Sequence, residues 1–132
     1  MLELDRIREA HGSCPTGSAV ATSAGLLPAK YVFHAVGPIF EGGGSGEAEL
    51  LASAYRSCLA LAQEKNIQYI SFPSISTGVY GYPVEEAAPI ALRTVAAHLE
   101  RSDVALQHVV FVLFDDGTFR AYRDALTELT AS

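Results

Sequence analysis

Apolar residues in this chain change their spacing in a repeating order, and that alternation limits the folds open to it more than any other feature. From Tyr31 to Val36 they run without a break except at His34, which reads as a short strand. From Glu47 to Lys65 they fall at Leu51, Ala54, Tyr55, Cys58, Leu61 and Ala62, the three-and-four spacing of an amphipathic helix. The stretch from Ile67 to Phe72 is strand-like again, and Pro83 to Glu100 returns to helical spacing through Val84, Ala87, Ala88, Ala91, Val95 and Leu99. Pro83 suits a first helical position, where its missing N–H costs nothing, and Glu85 and Glu86 complement the positive end of the helix dipole. His108 to Phe114 is the most strand-like run of all, and Phe119, Tyr122, Leu126 and Leu129 mark a final helix. A helical piece from Leu2 to Ala10 and a short strand from Ala19 to Ser23 precede these elements. Three consecutive strand–helix units with short connections imply an α/β fold. Its sheet is largely parallel with helices packed against it, because such crossovers are almost always right-handed. Ligands in these folds sit at the carboxyl ends of the strands. The residues after Val36, Phe72 and Phe114 are therefore the first places to look for a site.

With no repeat, linker or low-complexity segment, residues 1–132 read as a single domain, within the usual size range. A domain of this size buries about two-thirds of the surface its unfolded chain exposes, so it needs no disulfide or metal staple. The two cysteines, Cys14 and Cys58, could close one bridge at most and form no metal-ligand cluster, so a reducing cytoplasm is expected. The opening Met1 to Arg6 lacks the basic and apolar regions of a signal peptide, and no apolar run is long enough to span a membrane. Nine Lys and Arg against fifteen Asp and Glu leave a net charge of −6, which argues against phosphate neutralisation along DNA or RNA. A small anionic ligand stays open, because backbone N–H groups bind phosphate without any Lys or Arg.

The segment after the Ile67 to Phe72 strand reads Pro73-Ser74-Ile75-Ser76-Thr77-Gly78-Val79-Tyr80-Gly81-Tyr82-Pro83 and runs straight into a helix. Glycines that permit close approach, hydroxyl residues and a helix N-terminus in one connection are what a phosphate site needs. The plainer alternative is a tight strand-to-helix turn capped by Ser76 or Thr77. Neither the P-loop nor the dinucleotide-fold glycine spacing is present.

That string closely resembles the phosphate loop of macro domains. Leu27-Pro28-Ala29-Lys30-Tyr31-Val32-Phe33-His34-Ala35-Val36-Gly37-Pro38 resembles their characteristic second stretch, and Cys14-Pro15-Thr16-Gly17-Ser18-Ala19 looks like the strand entry before it. The likeness is particularly to the bacterial branch acting on O-acetyl-ADP-ribose and ADP-ribosylated proteins, and it covers nearly the whole chain. It implies a three-layer α/β/α fold with a mixed, largely parallel sheet. The implied ligands are ADP-ribose, O-acetyl-ADP-ribose or a mono-ADP-ribosylated protein, with no separate cofactor. Ser76, Thr77, Gly78, Val79 and Tyr80 would hold the diphosphate, with Tyr80 beside the distal ribose, and Phe114 would stack on adenine. Without the resemblance, Phe114 reads as a core aromatic and Tyr80 as a loop aromatic covering the sheet edge.

Family members begin further upstream, with strands, an Asn-containing motif and a Gly-rich loop bearing an Asp. The resemblance therefore implies either a start further upstream than Met1 or a domain truncated at its N-terminus, with the catalytic residues unassigned and hydrolysis impaired. It leaves a non-catalytic ADP-ribose-binding module or interaction subunit as the alternative. Self-association is one way such a form would cover an exposed sheet edge. Gly42-Gly43-Gly44 precedes the Glu47 helix and reads as a flexible connection rather than the missing loop.

Other residues read as structural. Cys14 is expected to be a plain loop thiol, Cys58 a core residue, and His34 a hydrogen-bonded core histidine. His11, His98 and His108 lack the pairing of a zinc site. Asp115 and Asp116, before Gly117, read as a helix-capping turn, with a general base or ribose ligand as the other reading. Ser74 and Ser76 lack the nucleophile-elbow spacing of a serine hydrolase.

Overall fold

The computed structural model describes residues 16–23, 31–77, 80–101, 103–113 and 115–130. Within them, strands β1 (Ala19–Ser23) and β2 (Tyr31–Ala35) come first, followed by helix α1 (Glu47–Glu64), strand β3 (Tyr69–Phe72), helix α2 (Val84–Leu99), strand β4 (His108–Phe111) and helix α3 (Asp116–Thr130). The helical piece expected from Leu2 to Ala10, and Cys14, lie outside the described residues.

β1 and β2 pair antiparallel, with Ala19 opposite Ala35 and Ser23 opposite Tyr31. β3 and β4 pair parallel, with Tyr69 opposite His108 and Phe72 opposite Phe111. The strands are thus mixed in direction. The parallel pair is joined by the α2 crossover, as a strand–helix–strand unit requires. Val112 N–H donates to the Phe72 carbonyl at 2.8 Å, carrying this ladder to the carboxyl ends of both strands.

The core lies between the helices and one face of the parallel pair. Tyr55 and Leu51 of α1 are fully buried, and the Tyr55 ring meets Phe72 at 5.2 Å and Phe111 at 6.1 Å between centroids. Ala87, Ala88, Ala91 and Val95 give α2 a small-residue face that packs into the same cluster. Small side chains there let helix axes approach, since interaxial distance follows the residues at the contact.

The apolar faces match the sequence spacing with two exchanges. On α2, Leu99 is exposed while His98 is buried, because His98 stands three residues after Val95 and seven after Ala91 and so continues the buried face of the helix. On α3, Tyr122 is buried but Phe119 and Leu126 are exposed, and Ala121 and Ala125 do the packing instead. Pro83 sits one residue earlier than expected: its ψ of 126° is extended, so it precedes the first helical residue. Its carbonyl accepts the Glu86 and Ala87 N–H groups at 3.1 and 3.0 Å, starting the helix with Val84. Among the described residues no helix is long and apolar enough to cross a membrane.

Candidate functional site

β3 delivers the chain to a turn at residues 74–77 whose shape is fixed from below. Tyr55, buried on α1, accepts the Ile75 N–H at 3.0 Å, and its hydroxyl reaches the Pro73 carbonyl at 3.4 Å. Tyr122 of α3 bonds Ser74 Oγ at 2.8 Å, and Thr77 Oγ1 donates to the same Ser74 oxygen at 2.8 Å. Ser76 carries a φ of 69°, a left-handed conformation that costs a non-glycine residue roughly 1–2 kcal/mol. Its carbonyl accepts the Tyr82 N–H at 3.0 Å, which closes the loop back on itself. A turn with a left-handed residue can aim successive N–H groups toward one side, the geometry of an anion-binding nest.

The second stretch singled out in the sequence arrives against this turn. Gly37, after β2, approaches so closely that an added Cβ would lie 2.2 Å from Ser76 Oγ and 2.4 Å from Ile75 Cγ2. Ser76 Oγ is buried there with no hydrogen-bond partner. Three residues on, Phe40 N–H donates to the Tyr80 carbonyl at 2.9 Å, and the Phe40 ring packs on Tyr82 at 4.9 Å. The loops after β2 and β3 therefore form one wall.

Of the expected site residues, Ser76 and Thr77 lie in the turn, and Tyr80 lies on the wall with its side chain exposed. Gly78, Val79 and Phe114 fall outside the described residues. The resemblance did not single out Gly37, Tyr55, Ser74 or Tyr122 as site residues. For the tyrosines a signal existed, because a buried phenol needs a partner for its hydroxyl.

Nearby charges are spent on structure. The Glu47 carboxylate, at the start of α1, accepts N–H groups from Glu41, Gly43 and Ser45 at 2.7 to 2.9 Å. These bonds hold its carboxyl down at about 2. The run Gly42-Gly43-Gly44, expected to be a flexible connection, is thus tied to a buried side chain. Asp115 accepts the Thr118 N–H at 2.8 Å and its hydroxyl at 3.1 Å, the capping role expected of it. Those bonds lower its carboxyl. Cys58 is buried, and burial pushes its thiol up to about 12, so the core role expected of it holds. Among the described residues no His, Cys, Asp and Glu cluster could hold a metal ion.

Residues 2–91 match the Macro domain family. The chain belongs to the macro domain family. A macro domain-containing protein of Caldanaerobacter subterraneus subsp. tengcongensis is 58% identical over 127 residues, covering 96% of this chain and 71% of that protein. An O-acetyl-ADP-ribose deacetylase of Salmonella gallinarum is 52% identical over 122 residues, 92% of this chain and 68% of the enzyme. Among solved structures, the Oceanobacillus iheyensis macrodomain with ADP matches with a TM-score of 0.88 at 43% identity, over 96% of this chain and 67% of that one. The Trypanosoma brucei macrodomain in complex with ADP-ribose matches with a TM-score of 0.83 at 36% identity, over 93% and 51%. The α/β architecture of this macro domain is therefore that of its relatives.

Proposed function

We propose that this macro domain binds ADP-ribose, with its diphosphate on the turn after β3, and that its reaction class is hydrolysis of O-acetyl-ADP-ribose or removal of ADP-ribose from proteins. The observation that carries the binding reading is the meeting of Gly37 with Ser76. It joins the two stretches at a carboxyl strand end, beside a turn held in a left-handed conformation. The similarity to an O-acetyl-ADP-ribose deacetylase supports the reaction class. In this reading backbone N–H groups from Ser76 to Tyr80 hold the diphosphate, Tyr80 lies beside the distal ribose and Phe114 offers its ring to adenine. An acidic protein suits this recognition because peptide dipoles, not Lys or Arg, meet the anion. Binding supplies catalysis by orientation: fixing the diphosphate holds the distal ribose ester in one place for attack by water.

Calorimetric titration with ADP-ribose, paired with a turnover assay on O-acetyl-ADP-ribose, tests it. Binding with turnover supports the hydrolase, and binding without turnover supports the non-catalytic module that the sequence motifs leave as the alternative. A Gly78→Glu variant is expected to abolish binding by placing bulk and like charge in the diphosphate site. Unchanged affinity in that variant would remove the phosphate-loop assignment.

A further inference from the structure

The hydroxyls of Tyr55, Tyr122, Ser74 and Thr77 form a continuous line from the core to the turn. Tyr55 and Tyr122 stand 3.4 Å apart, Tyr122 and Ser74 2.8 Å, and Ser74 and Thr77 2.8 Å. Each comes from a different part of the chain: α1, α3 and the two ends of the turn.

We propose that Tyr55, Tyr122 and Ser74 are positioning residues that hold the 74–77 turn in the shape that receives a diphosphate. The proposal rests on the ADP-ribose reading above and adds to it the parts of the chain that set the turn. The burial of both tyrosines is the first argument. Tyr55 is fully buried and Tyr122 is 4 % exposed, among Phe72 and Phe111. A phenylalanine at either place would fill the same ring volume without desolvating a hydroxyl. What the hydroxyls add is reach. Tyr55 binds both the Ile75 N–H and the Pro73 carbonyl, and Tyr122 binds Ser74, so their partners lie in the segment that carries the site.

The second argument is strain. Ser76 is left-handed and its own Oγ is buried without a partner, so local bonding from that side chain does not hold the conformation. A strained turn persists only where its surroundings over-determine it. Here the bonds on either side of Ser76 do so: Ile75 and Ser74 before it, Thr77 after it, and Tyr82 N–H on its carbonyl. Burial raises both phenol pKa values, which keeps the line made of neutral hydroxyls.

The test compares wild type with Tyr122→Phe, Ser74→Ala and Ser74→Thr. Affinities for ADP-ribose, ADP and adenosine are measured by calorimetry, and amide exchange at residues 74–77 is followed without ligand. Loss of one such hydrogen bond is expected to weaken ADP-ribose and ADP binding by about fivefold, with adenosine affected far less. Exchange at the turn should quicken by more than any fall in melting temperature accounts for, and Ser74→Thr should restore much of the affinity. Wild-type affinity and exchange in both Tyr122→Phe and Ser74→Ala would overturn the proposal, as would an equal loss for adenosine. Failure of the wild type to bind ADP-ribose would instead overturn the function reading, with amide exchange still deciding whether the hydroxyls set the turn. Should Tyr122→Phe fold poorly, Ser74→Ala alone decides.

Discussion

Gly37 touches Ser76 with no room to spare: a methyl group on Gly37 would overlap the Ser76 hydroxyl at 2.2 Å. The contact joins two loops from separate strands, so a side chain at Gly37 must move one of them. Gly37→Ala is expected to destabilise the fold by about 1–3 kcal/mol, the usual cost of overpacking, and to weaken ADP-ribose binding at least tenfold by displacing the turn. Urea unfolding and calorimetry check the two effects. Near-native affinity in a folded Gly37→Ala protein would show that the turn's position is not what binds the diphosphate.

Ser76 separates backbone strain from side-chain burial. With φ at 69° it occupies a region that glycine enters freely and branched residues resist. Ser76→Gly should therefore be close to neutral or mildly stabilising, and Ser76→Val destabilising by roughly 1–3 kcal/mol. Because Ser76 Oγ is buried and unpartnered, Ser76→Ala should cost little. A large loss of stability in Ser76→Ala by chemical denaturation would mean that the hydroxyl has a partner after all.

Glu47 gives the fold an acid limit. Its carboxyl, ordinarily at 4.5, is held at about 2 by backbone N–H groups of the loop it pins. Between those values the unfolded chain binds the proton and the folded chain does not, so stability is present above 4.5 and is lost as pH falls toward 2. Glu47→Gln should melt at a lower temperature than wild type at pH 7, since an amide offers one acceptor oxygen where the carboxylate offers two. The gap should narrow as pH drops below 4.5. A gap that stays constant from pH 7 to pH 2.5 would contradict the assignment.

The elements were legible because their signals are periodic. The spacing of Leu51, Ala54, Tyr55, Cys58 and Ala62 marks one helix face, and that face is buried. The turn at Ser76 and Thr77 was legible through its glycine and hydroxyl composition. What could not be read there depends on approach between distant segments. Nothing in the order of residues places Gly37 against Ser76 or carries the Tyr122 hydroxyl to Ser74 across the intervening chain. The exchange of Leu99 for His98 at the end of α2 has a different origin. His98 stands three residues after Val95 and continues the buried face, but a count of apolar residues alone passes over the histidine and picks the leucine.

His98 supplies a second pH limit, in a range distinct from that of Glu47. It is buried on the last turn of α2 with Nε2 lacking a partner. Burial first, and then the Arg101 charge, hold its pKa below the ordinary 6.5, with Asp103 opposing them. The unfolded chain therefore takes up a proton as pH falls through 6.5, while the folded chain takes it up only at lower pH. Over that interval stability declines with falling pH, and above 6.5 the group contributes no pH dependence. His98→Leu removes both the titration and the unpaired nitrogen, so the variant should be at least as stable as wild type at pH 5 and should lose less stability between pH 7.5 and pH 5. Urea midpoints at those two pH values measure the difference, and Glu47, present in both proteins and ionised in the folded state throughout, contributes equally to each. An identical decline in both proteins would place the titrating group elsewhere.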